Sequence, residues 1–139
     1  MTALPKDLPL ILSELRIATT LQHRGLEKRI PFLTADLLLY TRLIKAYYGF
    51  YRPLENRLFQ AAMSIPDLDW LIRSKTPSLE ADLYALGLDA AAIDAIPLCR
   101  FSLQTRSVAS VLGVLYVLEG ATLGGQSLRS KLYVRLGVD

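Results

Sequence analysis

The chain has 139 residues, 52% hydrophobic and 21% charged, with 16 Lys and Arg against 13 Asp and Glu for a formal net charge of +3. That length suits one core, the apolar content excludes a disordered chain, and so mild a charge without a basic block excludes a strongly basic nucleic-acid binder. Cys99 is the only cysteine, which excludes an intrachain disulfide and points to a reducing, cytoplasmic setting.

The N-terminus, MTALPKDLPLILSEL, interrupts its apolar stretch with Asp7 and Glu14 and so lacks the uncharged core of a secretory signal. The longest apolar run, Val111 to Leu118, is far short of the ~18–20 residues that span a bilayer. No membrane span is expected.

Helical periodicity dominates, and no segment shows the period-2 alternation of a strand. A first helix is predicted from an Asp7 N-cap, with Pro9 in its first turn, to about Arg29, where Pro31 stops it. Thr34 is expected to cap a second helix running from about Ala35 to Met63, kinked or broken at Pro53. A short helix is predicted around Leu68 to Arg73. Thr76-Pro77 opens another that ends near Gly87, and Asp89 to Ala95 forms a brief turn before Pro97. The last helix is expected from Ser102 to about Leu136, with Gly137 as its cap. Short connections between these helices imply an all-α bundle.

Four glycines fall within Gly113 to Gln126, GVLYVLEGATLGGQ, although each costs a helix roughly 1 kcal/mol relative to alanine. Gly113, Gly120, Gly124 and Ser127 share one face at helical spacing. Two accounts fit: close helix packing against bare backbone, or a flat ligand lying on it. The Gly124-Gly125 pair favours a local bend.

His23 is the only histidine. Glu27, at i+4, can reach one imidazole nitrogen and leave the other for a metal, while Arg16 shares the face and can meet a carboxylate. A surface histidine beside an ordinary charged neighbour fits the same pattern. One His and one Cys cannot supply the three or four ligands of a zinc site, whereas heme iron needs only one. Tyr47, Tyr48, Phe50 and Tyr51 read as packing residues, Trp70 as a packing anchor and Cys99 as an inert buried thiol. Lys45, Arg52, Arg57 and Arg73 are either a docking face for an acidic partner or a solvated charged face.

Together, LRIATTLQHRGLE (Leu15 to Glu27) and EGATLGGQ (Glu119 to Gln126) resemble the proximal and distal helix motifs of the heme oxygenase family. The likeness continues through Tyr48-Gly-Phe-Tyr51, Leu54-Glu55 and Leu79-Glu80-Ala-Asp82-Leu83, and so covers essentially the whole chain. The wording YVLEGATLGGQ is most similar to bacterial members that accompany bacteriophytochromes.

The resemblance implies a compact helical bundle of the heme oxygenase type, as a single domain over residues 1–139. It implies oxidative cleavage of heme to biliverdin, ferrous iron and carbon monoxide. Heme is then both substrate and cofactor, O2 is consumed, electrons come from a ferredoxin or flavoprotein reductase, and a bacteriophytochrome can accept the biliverdin. Carried over by motif, His23 would ligate the iron, Glu27 would orient it, and Arg16 would meet a propionate, with Thr19 on the same side. Gly120 and Gly124 would be the catalytic distal glycines, with Tyr116, Val117 and Leu123 flanking the macrocycle.

Two departures stand against the family pattern. Ala121 replaces an aspartate that in many members organises proton-delivering water, and the chain ends at Asp139, short of the C-terminal helices with which the family usually continues. They keep two alternatives open: a heme-binding or carrier protein without turnover, and a helical bundle with no heme site.

Overall fold

The computed structural model describes residues 10–29, 36–103 and 107–121, apart from the Glu27 side chain. The chain divides into two compact units, Met1–Thr34 and Ala35–Asp139. Every regular element among the described residues is helical, as the periodicity requires. None of these helices is long and apolar enough to cross a membrane.

The first unit contributes α1, Leu10–Glu27. It ends two residues before the expected Arg29, in a tightened turn where Arg29 N donates to the Leu26 carbonyl at 2.9 Å. Asp7, Pro9 and Pro31, to which the sequence assigns its start and stop, lie outside the described residues.

In the second unit the central element is α2, Leu37–Met63. Its N-cap is Asp36, whose carboxylate accepts from Leu39 N at 2.7 Å; the expected cap, Thr34, lies outside the described residues. An aspartate at this position satisfies a donor that the first helical turn leaves unpaired.

Of the kink or break expected at Pro53, the break does not occur: α2 runs as one helix through it. The physical reason lies four residues earlier. Proline has no N–H, so the Gly49 carbonyl loses its helical partner, and Cys99 N takes that place at 2.8 Å. The approach is close enough that a Cβ built on Gly49 would collide with the Pro97 carbonyl oxygen. Pro53 and Gly49 thus make one device that fastens the 97–99 segment onto α2.

A single apolar stripe along α2 serves two clusters. Ile44 and Tyr48 pack with Leu83, Ile93 and Ile96. These come from α4, Thr76–Ala85, from α5, Ala90–Asp94, and from the residues just after it. Tyr51, Leu54, Leu58 and Ala62 pack with Trp70 and with Val111, Leu115 and Leu118. Trp70 opens α3, Trp70–Arg73, and is the anchor expected of it. The last three lie on α6, residues 108–121. Each fully buried Leu contributes about 1.5–3 kcal/mol, so this stripe is the main source of stability.

The boundaries follow from local chemistry. Gly87, at φ +87, sits where α4 ends. Gly87 N bonds the Tyr84 carbonyl and Leu88 N bonds the Leu83 carbonyl, at 2.9 and 3.1 Å. This reversal needs a left-handed residue, which glycine adopts without strain. Asp89 then caps α5 through Ala92 N at 2.8 Å.

The last helix begins six residues later than expected, at residue 108 instead of Ser102. Arg57 explains this: its guanidinium donates to the Phe101 and Leu103 carbonyls at 3.0 and 2.7 Å, which holds the strand of chain before α6 out of helical form. Ser107 Oγ then accepts from Ser110 N at 3.2 Å and caps the helix. Cys99, expected to be buried, is exposed, because its backbone and not its thiol faces α2.

Glu55 is the one buried charged side chain among the described residues, 5% exposed. Its carboxylate accepts from Ser74 Oγ, Lys75 N, Thr76 N and Thr76 Oγ1 at 2.6, 2.6, 3.1 and 2.6 Å. An anion at the N-terminus of α4 is doubly favoured, by unpaired donors and by the helix dipole.

Two substitutions test this architecture by urea unfolding. Gly49→Ala is expected to lower stability by about 1–3 kcal/mol through overpacking against Pro97. Glu55→Ala, which strips the start of α4 of its acceptor, is expected to lower it by about 2–3 kcal/mol.

Candidate functional site

On α1, Arg16, Thr19 and His23 recur at helical spacing and share one face. The Thr19 hydroxyl donates to the Leu15 carbonyl at 2.8 Å, so it is satisfied within the helix. His23 Nδ1 lies 2.9 Å from the Thr19 carbonyl oxygen. A carbonyl can only accept, so Nδ1 carries a proton, which leaves Nε2 of the exposed ring as the nitrogen that a neutral imidazole would offer to a metal. Thr19 therefore acts on His23 through its main chain. The Glu27 side chain lies outside the described residues.

A neutral imidazole, oriented by one nitrogen and free at the other, is the donor that a single-ligand iron site requires. The Arg16 guanidinium has no protein partner among the described residues, which leaves its donors available to a carboxylate. Both Arg16 and His23 are exposed.

On α6, Val111, Leu115 and Leu118 face the core. The opposite face carries Leu112, Tyr116 and Val117, which are 45%, 58% and 67% exposed. A helix on the surface of a domain ordinarily turns polar residues outward; this one is apolar on both sides. Gly113 and Gly120 lie in the middle of the outward face, and a Cβ built on either meets no heavy atom within 4 Å. Close packing, the simpler account of the stripe, would place a neighbour there, and among the described residues there is none. Leu123 and Gly124 lie outside the described residues.

Bare backbone flanked by an aromatic and aliphatic side chains suits a flat, largely apolar ligand. Behind this face stands Tyr51, whose phenol is held above its ordinary pKa by burial and then by Tyr47, Glu55 and Glu119. It is a neutral hydroxyl at physiological pH.

The heme oxygenase family profile matches residues 10–138. The chain belongs to the heme oxygenase family. No curated protein and no solved structure gives a significant match. Membership implies heme as the molecule acted on, with O2 and a reductase as the other participants.

Two features escaped the sequence. The Thr19 carbonyl is the visible partner of His23, and the i−4 spacing is a signal that could have revealed it. Arg52, Arg57 and Arg73, read as a possible docking face, are engaged internally: Arg52 with Tyr48 and Asp94, Arg57 with Phe101 and Leu103, and Arg73 with Glu119. Partners separated by 46 residues, as in Arg73 and Glu119, leave no local trace.

The open glycine face generates its own test. Gly113→Ala and Gly120→Ala are each expected to raise the stability of the ligand-free protein by about 0.5–1 kcal/mol, the helix propensity difference. A fall in the urea midpoint would reveal a packing neighbour.

Proposed function

We propose that this protein is a heme oxygenase of the bacterial, bacteriophytochrome-associated type. It cleaves heme to biliverdin, ferrous iron and carbon monoxide in the cytoplasm, with O2 and electrons from a ferredoxin or flavoprotein reductase. A bacteriophytochrome is the proposed acceptor of the biliverdin. The observation that carries the reading is the outward face of α6, apolar and glycine-lined, without a neighbour at Gly113 or Gly120 among the described residues.

When bound, heme supplies the iron that activates O2 and the ring that is opened. The remaining work falls to side chains and backbone. His23 is the proposed iron ligand through Nε2, with Nδ1–H committed to the Thr19 carbonyl so that the ring keeps its orientation. Glu27 is assigned to that same side. Arg16 is proposed to pair with a propionate by charge-assisted hydrogen bonds.

Gly120 and Gly124 are the proposed catalytic pair, leaving room for O2 over the ring, while Tyr116, Val117 and Leu123 exclude water around it. Ala121 carries no proton, so water held along the exposed backbone of α6 is assigned that delivery. Ala121 also favours the second reading, a heme carrier without turnover. A bundle without any heme site leaves the unpartnered glycines unexplained.

Hemin titration separates these readings. The wild-type chain is expected to give a sharp Soret band that His23→Ala shifts and weakens. Gly120→Leu is expected to weaken hemin binding by about tenfold, as overpacking of a ligand face does, without loss of stability in the ligand-free protein. Addition of ascorbate or a ferredoxin system is expected to replace the Soret band with biliverdin absorption. A band that persists under reduction would favour the carrier, and no band at all would end both heme readings.

A further inference from the structure

Arg73 Nη1 donates to Glu119 Oε1 at 3.2 Å, joining the end of α3 to α6 one residue before Gly120. Both side chains are partly exposed, 40% and 36%, so the pair adds little to global stability. Its surroundings give it another use. Ser74, Lys75 and Thr76, the three residues that follow Arg73, are all bonded to the buried Glu55 carboxylate of α2. The main chain at Arg73 is therefore fixed to the core, and its guanidinium reaches from a rigid base.

The buried face of α6 packs by apolar contact. Val111, Leu115 and Leu118 bury well against α2 and Trp70, but hydrophobic burial is non-directional and tolerates small rotations of a helix about its axis. An ion pair with a defined donor and acceptor is directional. Glu119 stands at the border between the buried face and the open one: it is half-buried, Leu118 before it is buried and Gly120 after it is exposed. Tyr51, in the core below, lies within electrostatic reach of both Glu55 and Glu119, which makes the cluster continuous.

We propose that Arg73 is a positioning residue: by holding Glu119 it sets the rotation of α6, and so the direction in which Gly113, Tyr116, Val117 and Gly120 are presented to heme. This rests on the heme reading of the α6 face. Arg73 itself is not a catalytic residue.

The test compares Arg73→Ala, Arg73→Lys, and the charge exchange Arg73→Glu with Glu119→Arg. Two measurements are made on each: amide hydrogen exchange of residues 108–121 without ligand, and hemin titration with the position of the Soret maximum. Arg73→Ala is expected to speed exchange in α6, shift the Soret maximum and weaken hemin binding by about fivefold, the limit for an exposed ion pair. Arg73→Lys and the charge exchange are expected to restore both measurements to within about twofold of wild type.

Wild-type exchange and hemin affinity in Arg73→Ala would overturn the proposal while leaving the heme reading intact. So would a charge exchange as impaired as Arg73→Ala, since the loss would then belong to the arginine and not to the pair. A wild-type chain that binds no hemin would instead bring down the heme reading, and the exchange data alone would decide whether the pair restrains α6.

Discussion

The Glu55 carboxylate is the constraint on which the second unit turns. A buried anion without partners loses its hydration for nothing in return and would destabilise the fold by several kcal/mol. Here four donors from residues 74–76 surround it. The bonds work in both directions: the anion is satisfied, and the first turn of α4 gains the acceptor it lacks. Because Glu55 lies on α2 among Tyr51, Leu54 and Leu58, the same contact fixes the junction of α3 and α4 against the core. Trp70 and Arg73 inherit their positions from it, the one filling the core beside α6 and the other reaching Glu119.

A second fastening lies one and a half turns earlier on α2. Pro53 releases the Gly49 carbonyl, Cys99 N occupies it, and the absent Cβ of Gly49 admits Pro97. Arg57 continues the clamp at Phe101 and Leu103. Together these bonds fasten residues 97–103 to α2 and keep them out of helical form, and Ser107 caps α6. The helix that carries Gly113 and Gly120 is thus placed at both ends of its described length: by the clamp before it and by Arg73 near Gly120.

How much of this was legible in the sequence depends on the distance over which each cause acts. The all-α class, α3 to α5 and their turns follow from periodicity, Asp89, Pro77 and Gly87, all local signals. The N-cap of α2 and the start of α6 were misread because their determinants compete with near neighbours or come from far away. Thr34 and Asp36 are both good caps by type, and Arg57 acts on carbonyls 44 and 46 residues along the chain. Pro53 predicts a kink or a break because the usual consequence of a helical proline is an orphaned carbonyl; the partner that takes up the Gly49 carbonyl is invisible until the chain folds back. Of the candidate site, His23 and the glycines were legible as residue types at helical spacing. The choice between packing and ligand binding was not, since it turns on what surrounds Gly113 and Gly120.

The glycines of the second unit settle into two kinds. Gly49 is required by the approach of Pro97, and Gly87 by a left-handed turn. Neither reason exists at Gly113 or Gly120, which are helical and open to space. Each nevertheless weakens α6 by about 1 kcal/mol relative to alanine, which is a sizeable part of the 5–15 kcal/mol that a domain of this kind has in hand. A sequence that is locally consistent almost everywhere departs from its own rules chiefly where function demands it. The departure here falls on the face of α6 that is apolar, outward and, among the described residues, free of a close neighbour at its glycines, in a chain matched by the heme oxygenase family from residue 10 to 138. Stability given up at Gly113 and Gly120, with no close neighbour at either among the described residues, is what a surface kept bare for a ligand would look like.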